Sequence, residues 1–174
     1  MRYTPSLFKK TIATGAILLL GAPLALAASG DLFISGDGIW LSDNTIVHGQ
    51  TVKIYAQIGN NSDNDLLGSV QFVNQTTGEQ IESDQPVSVT SAGSDTVFVD
   101  WTPSAGTYNV SINVYPWDTS ADDSSNNTSS FTVTVDYDND GDGVGNAQDP
   151  DDDNDGVVDG EDAFPYDSSE SKDT

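Results

Sequence analysis

The chain contains no cysteine. Disulfides, thiolate nucleophiles and zinc–cysteine sites are thereby excluded. Histidine occurs once, as His48, and only five basic residues stand against 28 acidic ones. A lone imidazole and so few amines leave little for acid–base catalysis near neutral pH, and neither a Ser-His-Asp arrangement nor a phosphate-binding loop is present. The expectation is a protein that is not an enzyme. The formal net charge of −23 repels nucleic acid and anionic membrane surfaces and favours cations. No apolar period of 3.6 residues runs long enough to predict a helix in the body of the chain.

One apolar run stands at the start. Arg2, Lys9 and Lys10 precede "TIATGAILLLGAPLALA", which ends in the small-x-small pattern Ala25-Leu26-Ala27. This order of basic region, short apolar region and small-residue cleavage site predicts a secretory signal over residues 1–27. Pro23 and several Gly and Thr residues argue against a membrane span, which needs about 20 apolar residues. The mature chain is expected to be secreted, extracellular or on the cell surface, with the periplasm as an alternative, and to have no transmembrane span. It keeps Lys53 and Lys172 against all 28 acids, a balance of −26. Those acids are unevenly placed, 15 of them from Asp136 onward, and the shift marks a boundary there.

Residues 31–135 alternate with a period of two. "TVKIYAQI" sets Val52, Ile54, Ala56 and Ile58 on one face, and "TYNVSINVY" does the same through Tyr108, Val110, Ile112 and Val114. "DLFISGDGIWL", "GSVQFV", "QPVSV", "DTVFVDW" and "SSFTVTV" are further runs rich in β-branched and aromatic residues, separated by turn clusters such as "GNNSDND" and "TSADDSSNN". About seven short strands at this spacing predict an all-β fold, an immunoglobulin-like β-sandwich. Three segments, "VHGQTVKIYAQIGNNSDND", "SAGSDTVFVDWTPSAGTYNVSINVYPWD" and "SSNNTSSFTVTV", resemble in order the bacterial CARDB family, a cell-adhesion-related sandwich of exported proteins. Ser62 stands where that family's pattern has a glycine after the Asn pair.

Single residues in the sandwich receive plain expectations. Tyr108 reads as a core anchor of the tyrosine-corner type, and Trp101 and Trp40 as residues capping the core. Trp117, beside a polar loop, is the candidate to stack on a sugar ring together with Tyr115. His48 reads as a solvated turn residue. N-x-[ST] sequons occur at Asn60, Asn74, Asn109, Asn126 and Asn127, as chance allows in a chain rich in Asn, Ser and Thr.

The chemistry is concentrated in the tail, residues 136–174. "DNDGDGVGNAQD" (138–149) and "DDDNDGVVDGED" (151–162) carry Asp at positions 1, 3, 5 and 12, Gly at 6 and Val at 7. This is the calcium-loop pattern. Calcium takes six to eight oxygens at about 2.3–2.6 Å; alternate carboxylates converge on it only where the backbone curls, and glycine at 6 permits the curl. A disordered acidic tail would carry its acids at arbitrary positions and mix Asp with Glu, whereas these loops match in register. Only Pro150 separates them, so the flanking helices of an EF-hand have no room.

Closely spaced loops followed by "EDAFPYDSSES" resemble thrombospondin type 3 repeats, in which aspartate-rich loops wrap calcium ions with almost no hydrophobic core. The resemblance implies Ca2+ ligands Asp138, Asp140, Asp142, the Val144 carbonyl and Asp149 for one ion. For the second it implies Asp151, Asp153, Asp155, the Val157 carbonyl and Asp162, with Phe164 and Pro165 as a local apolar anchor. Position 9 (Asn146 or Asp159) is expected to act through water. Asp173 lies 22 residues after Asp151, as the opening of a third loop in a longer array would.

These readings combine into a calcium-binding adhesion or structural module whose tail acts as a stalk or spacer, its partner an extracellular protein or a glycan. The alternatives are an extracellular carbohydrate-binding module, or a fragment of a larger surface protein whose activity lies elsewhere.

Overall fold

A computed structural model describes residues 30–170. The expected signal, residues 1–27, and the suggested third loop at Asp173 lie outside the described residues. Nine strands occur in chain order: β1 (Leu32–Leu41), β2 (Ile46–Val47), β3 (Val52–Asn60), β4 (Leu66–Asn74), β5 (Glu79–Gln80), β6 (Gln85–Val89), β7 (Ser94–Trp101), β8 (Gly106–Pro116) and β9 (Thr128–Asp136). Seven are the expected runs. The other two, β2 and β5, have two residues each and are too short to leave a periodic signal.

The strands form two sheets. One has the order β1-β3-β7; the other has β2-β9-β8-β4-β5, with β6 also paired to β4. All pairings are antiparallel except β2 with β9. Antiparallel sheets with one buried face alternate inward apolar and outward polar residues, and β3 does so with Val52, Ile54, Ala56 and Ile58 fully inside. Facing them from the second sheet are Val70, Phe72, Val110 and Ile112, all buried.

The expectation for Tyr108 and Trp101 holds. Tyr108 donates its hydroxyl to the Ser104 carbonyl at 3.0 Å and meets the buried Trp101 edge-on at 5.3 Å. Trp40 is different. It lies on the outer face of the three-stranded sheet, 42% exposed, stacked on Tyr55 at 5.1 Å, with Phe98 the next ring across at 5.6 Å. Cross-strand register forces this: Trp40 pairs with Tyr55 and Tyr55 with Phe98, whose neighbours Ile54 and Val99 take the inward face.

Ser62, the departure from the CARDB pattern, has a local role. Its amide and hydroxyl both donate to Asn60 Oδ1, at 2.9 and 2.7 Å. Asn60 is buried and its Nδ2 reaches the carbonyls of Asn64, Val89 and Thr90. That side chain ties the end of β3 to the end of β6. Asn60→Ala leaves buried carbonyls without donors and is expected to cost about 1–3 kcal/mol, read as a lowered midpoint in urea unfolding.

Candidate metal centre

Beyond Asp136 the described chain has no regular element, only turns and bends. The joint to the sandwich is polar. Asp136 Oδ2 accepts the Ala147 N–H at 2.8 Å, the Asn146 N–H reaches the Tyr137 carbonyl at 2.8 Å, and Gly145 packs so closely on Asp136 that a Cβ would sit 2.8 Å from its side chain. His48, expected to be a solvated turn residue, is exposed but engaged. Its Nδ1 accepts the Ala105 N–H at 3.1 Å, and its ring stacks on Tyr137 at 6.0 Å, beside the joint.

Both loops curl in the same way. Position 6 has positive φ in each, +97° at Gly143 and +93° at Gly156, as the pattern demands. So does position 4, filled by Gly141 (+80°) in one loop and Asn154 (+57°) in the other. Asparagine tolerates this region better than most side chains, so two left-handed residues bend each loop. The carboxylates then accept backbone N–H groups in matched order. Position 1 takes the amide of position 6 (Asp138 with Gly143, 3.0 Å; Asp151 with Gly156, 3.1 Å). Position 3 takes that of position 5 (Asp140 with Asp142, 2.9 Å; Asp153 with Asp155, 3.2 Å), and position 5 that of Val144 or Val157 at 2.8 Å.

These bonds gather the carboxylates of each loop; in the first loop Asp138 uses both oxygens, since its Oδ1 also accepts the Gly141 N–H at 2.7 Å. Asp138, Asp140 and Asp142 each place an oxygen within 4.8 Å of one another, and Asp151, Asp153 and Asp155 do the same. The second loop is the more enclosed: Asp151 Oδ1, Asp153 Oδ2 and Asp162 Oδ2 are buried with no hydrogen-bond partner. Buried carboxylate oxygens without donors are costly, and Asp153 is only 6% exposed. Its carboxyl is pushed above the ordinary value by desolvation, and the charges of Asp155, Asp162 and Asp151 add to the rise against a lowering hydrogen bond from the Asp155 amide. An all-oxygen set of hard, anionic donors, with no protein cation against it among the described residues, fits a hard divalent ion. Asp149 and Asp162, at position 12, use one oxygen to accept from Asp151 N–H (3.1 Å) and Phe164 N–H (2.9 Å). Phe164, named as an apolar anchor, is 43% exposed and Pro165 partly buried.

Two features escaped the sequence reading. The position 9 side chain accepts the N–H of position 2, Asn146 Oδ1 from Asn139 (3.1 Å) and Asp159 Oδ1 from Asp152 (2.9 Å), a bond beyond the water-mediated role expected of it. Asn and Asp are equivalent in that bond. Asp152, outside the ligand pattern, is only 5% exposed and its Oδ1 has no partner. Burial raises its carboxyl, and Asp159, Asp149, Asp136 and Asp140 raise it further. Asn154 Nδ2 bonds to Asp140 Oδ2, and Asp140 also acts on Asp152, so the loops pack against each other. The only hint in the sequence is the middle Asp of "DDD", residues 151–153.

Trp117 is 68% exposed and Tyr115 49% exposed; Trp117 lines a shallow cavity with Asp65, Leu66, Leu67, Pro116 and Asp118.

No protein-family model and no curated protein matches the sequence. Among solved structures, the chain is similar to a CARDB domain from Pyrococcus furiosus, crystallised in complex with di-metal ions, with a TM-score of 0.50 at 17% identity over 61% of this chain and 88% of that one. Residues 272–376 of a proposed cell surface protein of Methanosarcina acetivorans superpose with a TM-score of 0.47 at 26% identity, over 61% of this chain and 91% of that one. The part of the chain that builds the two sheets therefore has the fold of a CARDB domain.

Proposed function

We propose that this protein is an exported calcium-binding module of the adhesion or structural class, in which a CARDB-like sandwich carries a tail ordered by Ca2+. The observation that supports this most is the enclosure of partnerless carboxylate oxygens from Asp151, Asp153 and Asp162 in a chain with almost no basic residues. Asp138, Asp140, Asp142, the Val144 carbonyl and Asp149 hold the first ion. Asp151, Asp153, Asp155, the Val157 carbonyl and Asp162 hold the second. Bound calcium neutralises carboxylates that otherwise repel, so the ion does for the tail what a hydrophobic core does for the sandwich. The stiffened tail then sets the distance between the sandwich and whatever it is joined or bound to.

Extracellular calcium modules bind at about 10⁻⁴–10⁻³ M. Titration calorimetry of the mature chain is expected to give saturable calcium binding in that range, with magnesium much weaker because its small octahedral shell fits a wide oxygen loop poorly. Equal affinity for both ions, or none for calcium at several millimolar, overturns the reading.

A second reading, carbohydrate binding, is favoured by one observation: two exposed aromatic residues, Tyr115 and Trp117, stand two positions apart where β8 ends. Exposed aromatic rings are suited to stacking on sugar faces. A glycan array with the native chain and Trp117→Ala separates the readings, since loss of a glycan signal on substitution supports the second and absence of any signal supports the first.

A further inference from the structure

The segment between β8 and β9, residues 117–127, buries four side-chain oxygens that no donor reaches: Asp118 Oδ2, Asp122 Oδ1, Asn126 Oδ1 and Asn127 Oδ1. Asn127 is only 7% exposed, and its amide lies against Asp122, donating Nδ2 to Asp122 Oδ2 at 2.7 Å. Next to this pair is Asp31, also 7% exposed, at the entry to β1. Its Oδ1 accepts the Asp123 N–H at 3.0 Å, and its Oδ2 accepts from Asn126 Nδ2 at 2.9 Å and Asn61 Nδ2 at 3.1 Å. Desolvation pushes the Asp122 carboxyl upward and the Asp31 charge adds to the rise, against lowering hydrogen bonds from Asn127 and the Leu32 amide.

Two neighbouring carboxylates drawn partly out of water repel each other unless a cation or a shared proton lies between them. Among the described residues no basic side chain is recorded against either carboxylate. Among the described residues, Lys53 is paired with Asp100 at 2.5 Å on the three-stranded sheet, and His48 belongs to the joint with the tail. That joint is at the other end of the molecule. Gly106 of β8 pairs with Val135 of β9 there, whereas Asn113 pairs with Thr128 at the end bearing the 117–127 segment. The length of β9, at about 3.3 Å per residue, separates the two ends, so the tail loops cannot supply the missing charge or share its ion.

We propose that this segment holds a divalent cation of its own, bound by carboxylate oxygens of Asp31 and Asp122 and amide oxygens of Asn126 and Asn127, with Asp118 at the rim. Donors that are all hard oxygens, two or three of them anionic, suit calcium better than zinc or copper. The ion joins the entry of β1 to the β8–β9 connection, two stretches about ninety positions apart in the chain. In a protein without cysteine it does the work of a staple across the open end of the sandwich.

Hydrogen exchange of the full mature chain, with calcium or with chelator, tests the site apart from the tail. In the native protein, amides of 117–127 are expected to slow about tenfold at calcium ten times above the dissociation constant. Asp122→Asn and Asp31→Asn should each remove that gain while residues 138–162 keep theirs. Protection of β8 and β9 reports whether a variant has folded, and the native arm decides by itself if one has not. Equal protection of 117–127 in calcium and in chelator, the result expected if the two carboxyls merely share a proton, overturns the proposal. So does a gain that survives both substitutions. Failure of the tail loops to respond would count against the proposed function and leave this site standing.

Discussion

Asp153→Asn is expected to have opposite effects with and without calcium. With the ion present, the substitution removes one anionic ligand and turns an N–H₂ toward the centre, so affinity of the second loop should fall on the order of 100-fold, at the upper end of what single changes around a metal cost. Without the ion, Asp153 faces Asp151, Asp155 and Asp162 in a partly dehydrated site, and desolvation already makes its charge unfavourable. Removing that charge relieves the repulsion, so the calcium-free tail should become more ordered. Amide exchange at 151–162 measured in chelator and in excess calcium reads both effects from one variant. A loss of protection in calcium with no gain in chelator would show that Asp153 serves the loop only through its bond to the Asp155 amide.

The second large effect belongs to the sandwich. Phe72 is fully buried in the middle of β4, between β8 and β5 or β6, and faces the inner residues of β3. Phe72→Ala removes a ring that nothing nearby can replace, a change worth about 3–5 kcal/mol. Against a typical total of 5–15 kcal/mol, that brings the domain close to unfolding, with a melting temperature lower by roughly 15 °C or more. Phe72→Leu, which keeps most of the volume, should lose much less. A loss confined to 1 kcal/mol for the alanine variant would mean that the sheets collapse readily into the cavity. Differential scanning calorimetry with calcium held constant separates this from any change in the tail.

What the sequence reveals is tied to period and register. Strict alternation through Val52, Ile54, Ala56 and Ile58 suffices to place a strand and its buried face, because a one-residue slip would expose all four. The paired acidic loops are equally plain, since Asp at positions 1, 3 and 5 and Gly at 6 recur in register and the two backbones curl alike. Features that depend on how elements meet leave no such trace. Trp40 looks like a core residue by type, and only its pairing with Tyr55 puts it outside. Asp152 sits between two ligand positions and is buried because one loop packs on the other. Asn126 and Asn127 read as sequons, yet their amide oxygens are enclosed with Asp31, more than ninety positions away. Even Asn154 carries half a signal: its φ of +57° repeats that of Gly141, but an asparagine in an acidic run does not announce a turn.

The central claim is that calcium, and not burial, orders residues 138–162. Hydrogen exchange of the mature chain across a calcium titration tests it most directly. The account predicts near-random exchange of those amides in chelator and a rise in protection that saturates by a few millimolar calcium, while the core amides of β3, β4 and β8 stay protected throughout. Unchanged protection of 138–162 from chelator to several millimolar calcium would contradict it.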